Sequence, residues 1–238
     1  SMENRFKITP LQLKSKLSPK TKLIMFNSPN NPAGIVYSEK ELHEFAEVLE
    51  DYPSTYILSD EIYEHIIYEE KHFSFAKIPS MYNRTITVNG LAKAFSMTGW
   101  RIGYIGAPEF ISKACNKFQG QITSATNCIA QRAAITALKA PVSKINYMLD
   151  EFKSRKELIF DLFSKIPGFK LLKPSGAFYL FPDISYYFGK EIKGKIINDA
   201  NDFAMTILEL ANVATVSGDS FGNKNCLRIS YAASKKEI

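Results

Sequence analysis

Apolar and polar positions along the chain change period several times, and each change marks an element. Lys22–Asn27 (KLIMFN) is a short apolar run that reads as a strand. The turn-rich stretch Ser28-Pro29-Asn30-Asn31-Pro32 follows at its end. Ser38 with Glu41 has capping-box spacing and opens a helix through about Glu50. Thr55–Ser59 (TYILS) predicts a second strand ending at Asp60-Glu61, Thr85–Val88 a third, and Arg101–Ala107 a fourth. Pro108 then suits the first residue of a helix. Strands alternating with helices predict an α/β layer: a mainly parallel sheet with flanking helices.

Pro141 interrupts this pattern. A long helical stretch runs from about Val142 to Ile166 and is closed by Pro167-Gly168. Strands are expected beyond it at Phe169–Leu172, Ala177–Phe181, Val213–Ser217 and Cys226–Tyr231, with a helix near Asp202–Ala211. The mixture predicts a smaller α+β domain, so the chain divides into 1–140, a large-domain portion, and 141–238, a C-terminal small domain. Two terminal features read as signs of a piece cut from a longer protein. Ser1-Met2 resembles a cloning scar, and Ser234 with Glu237 has the spacing of a helix start although the chain stops one residue later.

Composition narrows the function classes. Among 238 residues, 45% are apolar and 23% charged, which is globular rather than disordered. No apolar run approaches the roughly 20 residues of a membrane span, and the N-terminus lacks the apolar core of a signal peptide. Cys115, Cys128 and Cys226 are far apart and form no metal or redox spacing, so reduced thiols and a cytoplasmic location are expected. The formal charge of +6 is scattered, without a basic run or an aromatic-interleaved basic patch, and nucleic-acid binding gains no support from it.

The candidate chemistry gathers at strand ends. Asn31, Asp60 with Tyr63, Lys93 and Arg101 lie at or just beyond the predicted strands of the first domain, where open α/β sheets bind ligands. Lys93, in NGLAKAF, has apolar neighbours; partial desolvation frees an amine to form a Schiff base, whereas a lysine whose stem merely packs is the bland alternative. Asp60 directly follows an apolar strand. A buried carboxylate there needs a cation such as a protonated pyridine nitrogen, or else serves as a helix N-cap or a core ion-pair partner. Tyr63, three residues on, and Asn31 can both donate to a phenolate oxygen; their structural alternatives are a packing tyrosine and a turn residue. The Arg101 guanidinium suits a phosphate group or opens a strand at the surface. Arg228 sits between Leu227 and Ile229 in an apolar strand, as a bidentate carboxylate site requires, or as an exposed-face residue would.

Taken together, NSPNNPAG (Asn27–Gly34), SDEIYEHIIY (Ser59–Tyr68), VNGLAKAFSMTGWRIGY (Val88–Tyr104), PSGAFYLFPD (Pro174–Asp183) and LRISYA (Leu227–Ala232) closely resemble the fold-type I, class I/II aminotransferases. The nearest likeness is to the bacterial aspartate aminotransferase branch that includes prephenate aminotransferases. It runs from about Phe6 to Ile238 in one order. The resemblance implies the pyridoxal 5′-phosphate (PLP)-dependent transferase fold and a ping-pong, Schiff-base transfer of an amino group between aspartate or glutamate and a 2-oxo acid. By matching position, Lys93 takes the cofactor and shuttles the proton. Asp60 pairs with the pyridine nitrogen, Tyr63 and Asn31 meet the ring's 3-oxygen, Arg101 holds phosphate, and Arg228, assisted by Asn31, holds the substrate α-carboxylate.

Two departures stand out. Gly90 and Ala92 occupy positions where some relatives carry serines, and nothing here matches the long N-terminal segment of full family members. The resemblance therefore implies a homodimer for a full-length parent and impaired cofactor binding and turnover for this piece. A β-lyase of the same fold and a non-catalytic fragment that binds a partner are the competing expectations.

Overall fold

A computed structural model describes residues 1–238, which form two compact units. The sheet unit comprises Ile8–Pro29 and Val36–Tyr147; the second unit comprises Ser1–Lys7, Asn30–Ile35 and Met148–Ile238.

The sheet unit contains α1 (Pro10–Lys16), β1 (Leu23–Asn27), α2 (Glu39–Glu50), β2 (Tyr56–Asp60), α3 (Pro79–Tyr82), β3 (Thr85–Gly90), β4 (Gly103–Gly106), α4 (Glu109–Ile122) and α5 (Cys128–Lys139). Its strands are ordered β1-β2-β3-β4. The first three are parallel, with Asn27 opposite Asp60 and Asp60 opposite Val88. Their carboxyl ends are therefore level, and the residues that follow them emerge on one edge of the sheet.

The fourth strand departs from the parallel pattern. β4 runs antiparallel to β3, with Gly90 opposite Gly103. No helix long enough for a crossover separates them, so the chain doubles back. Arg101 is also not the first residue of that strand. It ends a short 3-10 turn over Thr98–Trp100 in the left-handed conformation (φ 52°).

The expected α2 forms for the expected reason. Ser38 Oγ accepts the Glu41 N–H at 3.3 Å, and Glu41 Oε2 accepts the Ser38 N–H at 2.7 Å. Leu42, Phe45, Ala46 and Leu49, at helical spacing, are its buried face. Phe45 meets Phe26 of β1 at 5.2 Å between ring centroids, and Phe75 meets Phe26 at 5.0 Å. Each buried ring or leucine contributes about 1.5–3 kcal/mol of apolar burial. The C-terminal end of α2 is closed by Arg84, which donates to the carbonyls of Leu49 (2.9 Å), Tyr52 (2.7 Å) and Thr55 (3.3 Å). A cation at a helix C-terminus also opposes the helix dipole. α5 opens on Asn127, whose Oδ1 accepts the N–H groups of Ile129 and Ala130. Its Ala134 packs on Leu91 and Met97, which bracket Lys93.

The second unit holds all but the first two residues of α6 (Asn146–Ser164), and β5 (Tyr179–Leu180), β6 (Glu191–Ile192), β7 (Lys195–Ile196), α7 (Ala200–Ala211), β8 (Val216–Ser217) and β9 (Leu227–Ser230). β5, β9 and β8 form an antiparallel sheet in that order, and β6 pairs with β7. Several expected strands are shorter than their apolar runs. Ala177 has φ 54°, which breaks extended backbone ahead of β5. Phe169–Leu172 reduces to one bridge, Lys170 to Asp183. Val142–Ile145 is a 3-10 turn before α6 rather than its first turn. Ile184, Ile197, Phe203 and Leu227 anchor the core of this unit. Ser234 N–H and Oγ both donate to Glu237 Oε2 at 2.9 Å, within a turn.

Candidate active site

The end of β2 turns sharply, and that turn carries two of the candidate residues. Asp60 Oδ1 accepts the Ile62 N–H at 3.2 Å. Glu64 N–H then donates to the Glu61 carbonyl and Ile66 N–H to that of Tyr63, both at 2.8 Å. No helix follows, so Asp60 shapes a turn and is not a helix cap. Its carboxyl is pushed above the ordinary range chiefly by burial; the Ile62 N–H opposes this and the charge of Glu61 adds to it. Tyr63 is 4% exposed.

Lys93 lies on the loop after β3 and is half-buried. Its Nζ stands 5.7 Å from the centroid of the Tyr63 ring. A turn closed by Ser96 N–H on the Lys93 carbonyl (3.2 Å) and by Met97 N–H on that of Leu91 (3.3 Å) holds the loop. Asp60, Tyr63 and Lys93 are thus brought together at the carboxyl edge of parallel strands. Gly90 has a local reason as well: a Cβ there would lie 3.1 Å from the Ile102 carbonyl oxygen and 3.2 Å from the Gly103 Cα, so a serine would crowd the β3–β4 pair.

Arg101 is exposed, and its Nη1 donates to the Thr98 carbonyl at 3.0 Å. It lines a cavity of about 780 Å³ together with Ser96, Trp100, Thr126 and Asn127. A non-glycine residue at positive φ costs on the order of 1 kcal/mol and is concentrated at functional sites.

Asn31 and Arg228 belong to the second unit and meet there. Arg228 Nη1 donates to Asn31 Oδ1 at 3.0 Å. The Asn31 loop is pinned: Asn30 Oδ1 accepts the N–H groups of Ala33 and Ile35, and the Gly34 carbonyl accepts those of Ser175 and Gly176. Gly34 has φ +64°, and a Cβ there would lie 2.6 Å from the Gly176 oxygen, so only glycine fits. The Arg228 guanidinium carbon lies 5.0 Å from the Tyr179 ring centroid and 4.9 Å from that of Phe221. Its Nε is buried and has no partner. Two rings thus hold the guanidinium while one of its buried donors has no partner within the protein. Tyr179 and Phe221 were not among the expected site residues. Tyr179 sits in an apolar stretch that reads as core, and Phe221 in the Gly- and polar-rich turn Gly218–Asn223.

Comparison with known proteins supplies the family. The family model for aminotransferases of class I and II matches residues 1–238. The chain is 46% identical, over 98% of its length, to the bifunctional aspartate aminotransferase and glutamate/aspartate-prephenate aminotransferase of Petunia hybrida, of which it covers 50%. It is 42% identical, over 100% of its length, to the probable aspartate/prephenate aminotransferase of Rickettsia felis, of which it covers 59%. The crystal structure of the aspartate aminotransferase from Rhizobium meliloti superposes with a TM-score of 0.95 at 38% identity, across 100% of this chain and 60% of that one. The chain thus spans about half to three-fifths of the length of these relatives. No helix is long and apolar enough to cross a membrane. With a parallel sheet whose edge carries Asp60, Tyr63 and Lys93, and a match along its whole length, the chain belongs to the class I and II aminotransferase family.

Proposed function

We propose that this chain carries the cofactor-holding and carboxylate-holding groups of a PLP-dependent aminotransferase that moves an amino group between aspartate or glutamate and a 2-oxo acid. The observation that carries the reading is the grouping of a half-buried carboxyl, a phenol and an amine at one strand edge. The donor set fits the cofactor. Asp60 is a half-buried carboxyl raised chiefly by burial, and a protonated ring nitrogen would give it a cationic partner. When bound, the cofactor offers an aldehyde that can link to an amine and a ring that accepts electrons.

The protein's own groups then divide the work. Lys93 Nζ would hold the cofactor through its amine, and the same amine is placed to take a proton from the substrate α-carbon and return it. Tyr63 donates to the ring's 3-oxygen. Arg101 takes phosphate oxygens at the rim of its cavity. Arg228, steadied by Asn31, Tyr179 and Phe221, takes the substrate α-carboxylate with its fork. The names of the relatives support aspartate as amino donor. The same reading expects a homodimer of the whole protein and, given its free cysteines, a cytoplasmic location.

The test is the visible spectrum after PLP addition, for the native chain and for Lys93→Ala, before and after borohydride. A band that requires Lys93 and becomes a reduced adduct on the Lys93 peptide is the expected result. An equal band in Lys93→Ala, or an adduct on another lysine, refutes the assignment. Release of ammonia and pyruvate without an oxo-acid acceptor would instead identify a β-lyase.

A further inference from the structure

Next to Asp60 lies a buried carboxylate that the proposed function leaves without a task. Glu61 is 3% exposed. Its Oε1 accepts Ser59 Oγ at 2.8 Å and Ser74 Oγ at 2.6 Å, and its Oε2 lies 2.8 Å from His72 Nε2. Burying a carboxylate is costly unless donors satisfy it, and here three do. Its backbone N–H donates to the Val88 carbonyl at 2.9 Å, on the β3 residue that Asp60 faces in register. Along the strand Ser59 and Glu61 point to one face and Asp60 to the other. The Glu61 carbonyl accepts the Glu64 N–H at 2.8 Å and so closes the turn that carries Tyr63.

A cation site is the obvious rival reading, because ligand atoms of Glu61, Glu64 and His72 lie within 4.8 Å of one another. The tautomer opposes it. His72 Nδ1 is buried with no partner, so the ring proton belongs on Nε2, directed at Glu61. A metal on Nε2 would force that proton onto Nδ1, where nothing accepts it. Glu64 Oε1 is also already taken by Asn89 Nδ2 at 2.6 Å.

We propose that Glu61, clamped by Ser59, Ser74 and His72, is a positioning residue for Asp60: it fixes the turn that presents Asp60 and Tyr63, and it holds a negative charge against the far face of the strand. That charge makes Asp60 a firmer partner for a protonated ring nitrogen, a consequence that rests on the cofactor reading above. The upward displacement of the Asp60 carboxyl, to which Glu61 adds after burial, agrees with the geometry. The other charged or titratable groups facing Glu61 are Glu64, which His65 approaches at 3.5 Å, together with His72 and Tyr104, whose phenol is raised by burial and then by Glu64 and Glu61.

The test needs no cofactor. In a carbon-13 carboxyl NMR titration of the cofactor-free chain, with Asp60 assigned through Asp60→Asn, the variant Glu61→Gln keeps the side-chain size and a serine acceptor but removes the charge. The Asp60 midpoint should move down. An unmoved midpoint in a folded variant overturns the proposal. If Glu61→Gln does not fold, Ser74→Ala decides: loss of one clamp hydrogen bond lets the Glu61 carboxylate shift and should move the Asp60 midpoint, and an unmoved midpoint overturns the coupling. PLP binding with an unmoved midpoint would refute the Glu61 role alone. A moved midpoint in a chain that forms no Lys93 adduct would leave the coupling standing and refute the cofactor reading.

Discussion

Replacing Arg228 by lysine keeps one positive charge and removes a planar fork. Two rings, at 5.0 and 4.9 Å from the guanidinium carbon, hold its plane, and Asn31 takes Nη1 at 3.0 Å. The buried Nε is left without a partner. A carboxylate arriving at the Nε edge can receive two parallel charge-assisted hydrogen bonds, whereas an ammonium at the same place delivers one. The ring contacts exist before the ligand arrives, so they hold the fork in place and do not enter the affinity difference directly. What Arg228→Lys removes from binding is one charge-assisted bond, about 1.5–3 kcal/mol, or about 10- to 150-fold in Kd. Calorimetric titration with a short dicarboxylate at fixed low salt measures this. Asn31→Ala leaves the fork but frees its orientation and should weaken binding by about three- to tenfold, the scale of one ordinary hydrogen bond. A change under threefold for a folded Arg228→Lys would show that Nε is not the carboxylate seat.

Other predictions address stability and reactivity. The Asp60 carboxyl is raised above the ordinary 3.8 by burial, so the folded chain holds that proton more tightly than the unfolded one. Its contribution to stability is therefore greatest below that value and is lost as pH rises through the raised one; Asp60→Asn should raise Tm at pH 7 and lose its effect near pH 3, and a lower Tm at pH 7 contradicts this. Cys226 is buried, and burial, aided by the charge of Asp183, pushes its thiol up to about 12, while Cys115 and Cys128 are exposed. Alkylation of the native chain at pH 8 followed by peptide mass spectrometry should label Cys115 and Cys128 and spare Cys226, and comparable labelling of all three would count against the buried placement. Ser38→Ala removes the N-terminal cap of α2 and should cost about 1 kcal/mol, seen as a Tm lower by roughly 2–4 °C.

What the sequence disclosed follows the range of the interactions involved. β1 to β3 and α2 were legible because short-range signals specify them: apolar runs bounded by turn residues, and a capping box whose two bonds form within four positions. The direction of β4 was not, because periodicity reports which face a residue occupies and not which way a strand runs; only the absence of room for a crossover helix hinted at it. Arg101 shows a similar limit. Its left-handed backbone is imposed by the return of the chain from the Thr98–Trp100 turn, and no residue-level preference of arginine announces it. Lys93 and Tyr63 were each identifiable as candidates, but their approach depends on strand register, which brings segments 30 residues apart in sequence to one edge. Tyr179 and Phe221 escaped for a different reason: a tyrosine in an apolar stretch, or a phenylalanine in a polar turn, looks the same whether it packs on leucine or on a guanidinium, and their approach to Arg228 exists only in three dimensions. Glu61 was in plain view beside Asp60, but with Asp60 read as the buried acid its alternating neighbour gave no sign of burial on the opposite face. The two serines and the histidine that make burial of one tolerable lie at positions 59, 72 and 74, and they bear on it only once the turn has formed.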